Sequence, residues 1–253
     1  MGLSVGGQSA VVEMVVGFRL VRLNLPIPVT ALVGILTGIA FGTVNGIVAI
    51  KLKIMPIIVT LSTMLILQGV AYLITCGYQM TGMPKTFLML GQGYIGPIPI
   101  PVIIFVLFIL FGWIVMNKTY LGRMIYALGG NKEAARLAGI NVDKLTVMVY
   151  AFAGFAASIA APIMVARANA SLPGAGSSYP VDCMTAACLG GISIAGGEGK
   201  ISGAGLGVII IGVLDQGLVL MGVNSNFQSV VKGIILLLAV AIDCYEAKNK
   251  KKA

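Results

Sequence analysis

The chain has 253 residues, 58% hydrophobic and only 10% charged, with a net charge of +9 and no histidine. A mean hydropathy of +1.01 excludes an ordinary soluble domain. The positive charge does not point to nucleic acid: no basic face carries interleaved aromatics, and the lysines and arginines sit at span ends and in the tail Lys248-Asn-Lys-Lys-Lys252.

A membrane helix needs about 20 mostly apolar residues. The first apolar stretch, residues 4–18, is shorter than that. No basic segment precedes it, so it does not read as a cleavable signal peptide. Residues 23–50 follow without a charge and carry Gly34, Gly38, Gly42 and Gly46 at i, i+4 spacing. Such a ridge lets helix backbones approach closely; packing explains it, and a selectivity role is the alternative. Residues 54–84 are also uncharged and hold Thr60, Ser62, Thr63 and Gln68. Polar groups are costly in lipid, so Asn45, Thr60, Thr63 and Gln68 either line a path for a hydroxyl-rich solute or bond between helices. Residues 86–117 form a third uncharged run, helical from about Pro99 onward.

Between Lys118 and Lys144 the chain turns polar, and Asn131-Lys-Glu-Ala-Ala-Arg-Leu-Ala-Gly-Ile reads as a short capped helix. Asn131 caps the start, Glu133 and Arg136 match the helix dipole, and Gly139 supplies the left-handed stop. About two turns of helix are marginal alone, which implies an external partner for the face Ala134, Leu137 and Ala138. Residues 145–166 give another span, with Ala153, Ala157 and Ala161 in helical register. Residues 183–197 are short and glycine-interrupted, as in a broken or re-entrant helix, or else a tilted ordinary one.

Two spans close the chain, 201–220 with Asp215 and 227–245 with Lys232. Both charges lie at similar depth, so they can pair, and Asp215→Ala would then leave Lys232 unpaired; Lys232 can instead snorkel outward. Lys118, Arg123, Lys132, Arg136 and Lys144 place the capped helix in the cytoplasm, and the lysine tail puts the C-terminus there too. Residues 75–97 and 167–182 then lie outside, with Arg19 and Arg22. Cys76, Cys183, Cys188 and Cys244 have no metal-site spacing, and no metal site or cofactor is expected. Gly196-Gly-Glu-Gly-Lys200 lacks both the glycine and the Ser/Thr of a phosphate loop, and no catalytic motif is present. An all-α polytopic transmembrane bundle follows, with a short cytoplasmic coupling helix and one or two broken helices. It is non-catalytic.

Several runs resemble one family, the permease subunits of bacterial ABC importers for ribose, xylose, galactosides and related monosaccharides. They are Leu121-Gly-Arg-Met-Ile-Tyr-Ala-Leu-Gly-Gly-Asn-Lys-Glu-Ala-Ala-Arg-Leu-Ala-Gly-Ile-Asn141, Val59-Thr-Leu-Ser-Thr-Met64, Leu189-Gly-Gly-Ile-Ser-Ile-Ala-Gly-Gly-Glu-Gly199 and Val231-Lys-Gly-Ile-Ile-Leu-Leu-Leu-Ala-Val240. The resemblance covers essentially all of residues 1–253 as one permease domain, with 118–144 as its cytoplasmic coupling loop. Gly2-Leu-Ser-Val-Gly6 is similar to a motif that two earlier spans precede in the family, so about two N-terminal spans are expected to be missing. Pro180 and Asp215 depart from the family pattern, and Glu13, Arg19 and Arg22 are unexpected charges.

The resemblance implies a multi-pass protein of the bacterial inner membrane that pairs with a second permease subunit in a homo- or heterodimer. It also implies ABC ATPase subunits gripping Asn131, Glu133, Ala134, Leu137 and Gly139, and a periplasmic or lipid-anchored sugar-binding protein outside. Membrane lipid is the surrounding partner. From the residues alone, an ion-gradient-driven carrier or channel with Asp215 as coupling carboxylate is the alternative.

Overall fold

The computed structural model describes residues 2–193 and 196–250. Ile194 and Ala195 of the glycine-rich motif, the side chain of Cys244 and those of the tail lysines lie outside that description. The helices are α1 (Val5–Val21), α2 (Ile27–Lys51), α3 (Pro56–Thr75), α4 (Lys85–Gln92), α5 (Ile100–Lys118), α6 (Tyr120–Gly130), α7 (Lys132–Leu137), α8 (Val142–Ala168), α9 (Tyr179–Leu189), α10 (Ile201–Leu220) and α11 (Ser225–Lys250). Four two-residue strands, β1 (Met80–Thr81), β2 (Tyr94–Ile95), β3 (Ile98–Pro99) and β4 (Ala170–Ser171), pair antiparallel as β1–β4 and β2–β3. Among the described residues α2, α3, α5, α8 and α10 are long and apolar enough to cross a membrane. The fold is an all-α polytopic membrane bundle.

Two compact units divide the chain: Met1–Leu107 with Asp143–Pro180, and Phe108–Val142 with Val181–Ala253. In the first, α1 is buried on nearly every side. Val12, Val16 and Leu20 pack with Phe87 and Val165, while Ala10, Val11 and Met14 pack with Leu67 and Ala71. A helix covered on nearly every side lies inside a bundle, which accounts for the short 4–18 stretch although it carries Gln8 and Glu13. The glycine ridge of α2 lies chiefly on α8. A Cβ on Gly38 would strike the Gly154 carbonyl and Ser158, one on Gly42 the Tyr150 carbonyl, and one on Gly46 Val147. Only Gly34 faces α1, at Val12 and Val16.

The uncharged run 54–84 is longer than its helix. Cys76 (φ 52°) and Gly77 (φ 83°) are left-handed and end α3, and the chain beyond them forms β1. Similarly, the 86–117 run holds α4 and the β2–β3 hairpin before α5 begins.

In the second unit the broken helix lies earlier than residues 183–197 suggested. α9 ends at Leu189, and Gly190 followed by Gly191 (φ 74°) stops it. Eleven residues span about 16 Å, roughly half of the hydrocarbon thickness. Backbone meets backbone where α9 passes α10, at Gly190 against Gly203 and at Gly207 against the Ala186 carbonyl.

These close approaches make a direct stability test. Gly42→Ala should destabilise the protein by about 1–3 kcal/mol through overpacking, whereas Gly69→Ala, which meets open space, should not. Detergent-denaturant titration of the purified protein measures both.

Candidate functional site: an exposed capped helix and a three-helix charge cluster

The polar segment folds into two helices where the sequence suggested one. Thr119 opens α6: its hydroxyl accepts from the Gly122 N–H at 3.4 Å and donates to the Val115 carbonyl at 2.6 Å. The segment then bends at Asn131, whose side-chain oxygen accepts from the Glu133 and Ala134 N–H groups, each at 3.0 Å. At the other end of α7, the Gly139 N–H bonds to the Arg136 carbonyl and the Ile140 N–H to the Ala135 carbonyl. Gly139 is left-handed (φ 82°). Both ends of α7 are therefore satisfied by its own sequence, which is how a helix of six residues persists. Glu133 and Arg136 are 3.8 Å apart and largely exposed, a pair of little energetic weight.

Only Ala135 of α7 is buried. Ala134, Leu137 and Ala138 face out, and Leu137 is 89% exposed. A leucine presented at the tip of a polar, self-capped helix is unlike the lipid-facing leucines of the spans. The structure thus brings Asn131, Glu133, Ala134, Leu137 and Gly139 together on one projecting element.

The second site lies in the α9–α10–α11 group. Lys232 Nζ is 2.9 Å from an Asp215 carboxylate oxygen and 2.8 Å from one of Asp182. Depth along the spans pairs Asp215 with Lys232, whereas the sequence puts Asp182 in an outer loop. It lies instead in the first turn of α9. The signal was available: Pro180 favours a helix start, and Asp182 suits the positive end of the helix. The lysine retains 16% side-chain exposure, Asp182 23% and Asp215 32%. Lys232 has two carboxylate partners, so Asp215→Ala would leave it paired with Asp182, contrary to the expectation from sequence that it would be unpaired.

The remaining polar residues are dispersed around α1 and α3. Asn45 is buried and donates to the Ser4 hydroxyl at 2.9 Å. Thr60 is fully buried, and its hydroxyl donates back to the Pro56 and Ile57 carbonyls of its own helix. Thr63 does the same to Val59 at 2.8 Å. Both threonines use their protons within α3, between no two helices. Thr63 and Gln68 are half-buried. Gln8 and Glu13, which the motifs did not mark, are buried in α1, and each keeps a side-chain oxygen without a hydrogen-bond partner among the described residues.

Residues 1–240 match the family described as branched-chain amino acid transport system / permease component. The chain belongs to this family. It is 43% identical to the ribose import permease protein of Bacillus subtilis (strain 168), over 79% of this chain and 62% of that one. To the ribose import permease protein of Escherichia coli (strain K12) it is 40% identical, over 99% of this chain and 77% of the relative. The L-arabinose transport system permease protein of Escherichia coli (strain K12) is 37% identical, over 82% and 63%. The chain thus spans 62% to 77% of the length of these relatives. No solved structure shows a significant match to it. As a permease component with five apolar helices among the described residues, it is a multi-pass inner-membrane protein and a non-catalytic one.

The charge cluster predicts an order of effects. Lys232→Met leaves Asp182 and Asp215 facing each other and should cost about 2–5 kcal/mol. Asp215→Asn should cost less, because Asp182 still holds the lysine. Detergent-denaturant unfolding separates the two.

Proposed function

We propose that this chain is the membrane-embedded subunit of an ATP-driven importer that moves a monosaccharide of the ribose, xylose or galactoside class across the inner membrane. The observation that carries this reading is the 40% identity to a ribose import permease along 99% of the chain. The family description mentions branched-chain amino acids, but relatives alike over most of the chain carry sugar names.

In this reading α7 is the energy input. Separate ATPase subunits seat Leu137 in a groove and contact Glu133, while the Asn131 and Gly139 caps keep the helix intact under load. The basic residues of 118–144 and the lysine tail favour the cytoplasm for α7 and for the C-terminus. A sugar-binding protein, periplasmic or lipid-anchored, delivers solute from the other side, and a second permease subunit completes the pore. The ATPase must bind one arrangement of the bundle more tightly than the other, since only differential affinity shifts the equilibrium.

Of the first-unit residues assigned to the path, Thr63 and Gln68 are the more open. Asn45 and Thr60 join it only when helices shift, because a single chain buries both. Asp215, assigned to the path as well, is held in the charge cluster of the second unit.

Reconstitution with the cognate ATPase and binding protein tests this reading. Labelled ribose should enter vesicles only with ATP. Leu137→Glu should cut uptake by about tenfold or more, as loss of an interface anchor does, while the protein still inserts. Uptake that survives ATP depletion but stops with an ionophore would contradict it.

A further inference from the structure

The glycine-rich turn after α9 has a geometry that neither solute passage nor ATPase docking requires. Gly196 (φ 94°), Gly197 (φ 81°) and Gly199 (φ 145°) adopt conformations that residues with a Cβ rarely reach. The turn is braced internally, with the Ser193 N–H on the Glu198 carbonyl and the Gly196 N–H on the Ser193 carbonyl, each at 3.1 Å. The Ser193 hydroxyl donates to Asp243 of α11 at 3.2 Å. Lys200 then leads directly into α10. One turn is therefore tied to the end of α9, the start of α10 and the side of α11.

The last turn of α6 rests on it. The Tyr126 hydroxyl donates to the Gly199 carbonyl at 2.8 Å. A Cβ on Gly129 would run into the Gly197 backbone, and one on Gly197 would lie 2.7 Å from the Gly130 backbone. Beside this contact lies a cavity of about 250 Å³ lined by Met116, Ile125, Ile192 and Ile201 among others, so α6 has room to shift. The same three helices meet again at Asp182, Asp215 and Lys232.

We propose that the 196–199 turn is a mechanical joint: motion of α7 passes through the Tyr126–Gly199 bond and the Gly129–Gly197 contact, and moves α9, α10 and α11 together. Tyr126 and Gly129 are positioning residues that act through the turn and touch no solute. The proposal rests on the ATP-driven reading given above.

The test uses the full reconstituted complex and reads ATP hydrolysed and sugar taken up separately. Tyr126→Phe removes only the hydroxyl, and Gly129→Ala adds a methyl at the contact. Gly130→Ala is the matched control, since a Cβ there meets nothing within 4 Å. Tyr126→Phe and Gly129→Ala should keep hydrolysis near the parent rate while uptake per ATP falls on the order of tenfold. Gly130→Ala should behave as the parent.

Unchanged uptake per ATP in both variants overturns the joint, and so does a parallel loss of hydrolysis and uptake. If Gly129→Ala does not accumulate in the membrane, Tyr126→Phe alone decides. A parent complex that lacks ATP-dependent uptake refutes the transport reading instead, and does so before any variant is compared.

Discussion

Hydrocarbon offers no partners to charges or to backbone polar groups, and the organisation of this chain follows from that constraint. Lys232, partly buried on α11, is met by two carboxylates from two other helices. These ion pairs fix the first turn of α9 against α10 and α11. The helix of eleven residues then stops and continues as a glycine turn braced by its own backbone, with the Ser193 N–H on the Glu198 carbonyl and the Gly196 N–H on the Ser193 carbonyl. Where no such partner is needed, small residues take over, and α2 lies against α8 with backbone facing backbone.

The same constraint isolates α7. Leucines on the spans are exposed because lipid surrounds them, whereas Leu137 stands on a helix flanked by charges and capped by its own sequence. An apolar side chain in that position gains nothing from water, which is the ground for the proposed protein partner. A rigid, self-capped element can also transmit force without fraying, and this suits a subunit that has no energy source of its own.

Much of this was legible in residue order. Charge-free runs located the spans, and Asn131 and Gly139 located both ends of α7, because caps and hydropathy are local signals. Asp215 and Lys232 were found from depth along two adjacent spans. Asp182 was missed because its partner is fifty residues away and its segment looked like a loop; only the packing of α9 brings it inward. The same limit hid the burial of α1. A sequence shows that residues 4–18 are mostly apolar but not that neighbouring elements cover nearly every side of them. Thr60 and Thr63 show the converse, since their helical spacing suggested a polar stripe, yet each hydroxyl is already occupied by the turn before it.

The account depends on α7 facing the cytoplasm, where nucleotide-driven partners can reach it. The most direct measurement is labelling of Leu137→Cys, in a background with the native cysteines replaced, by a membrane-impermeant maleimide. Intact cells should leave the residue unlabelled, inverted vesicles should label it, and bound ATPase subunits should protect it. Labelling in intact cells would place the helix outside and contradict the account.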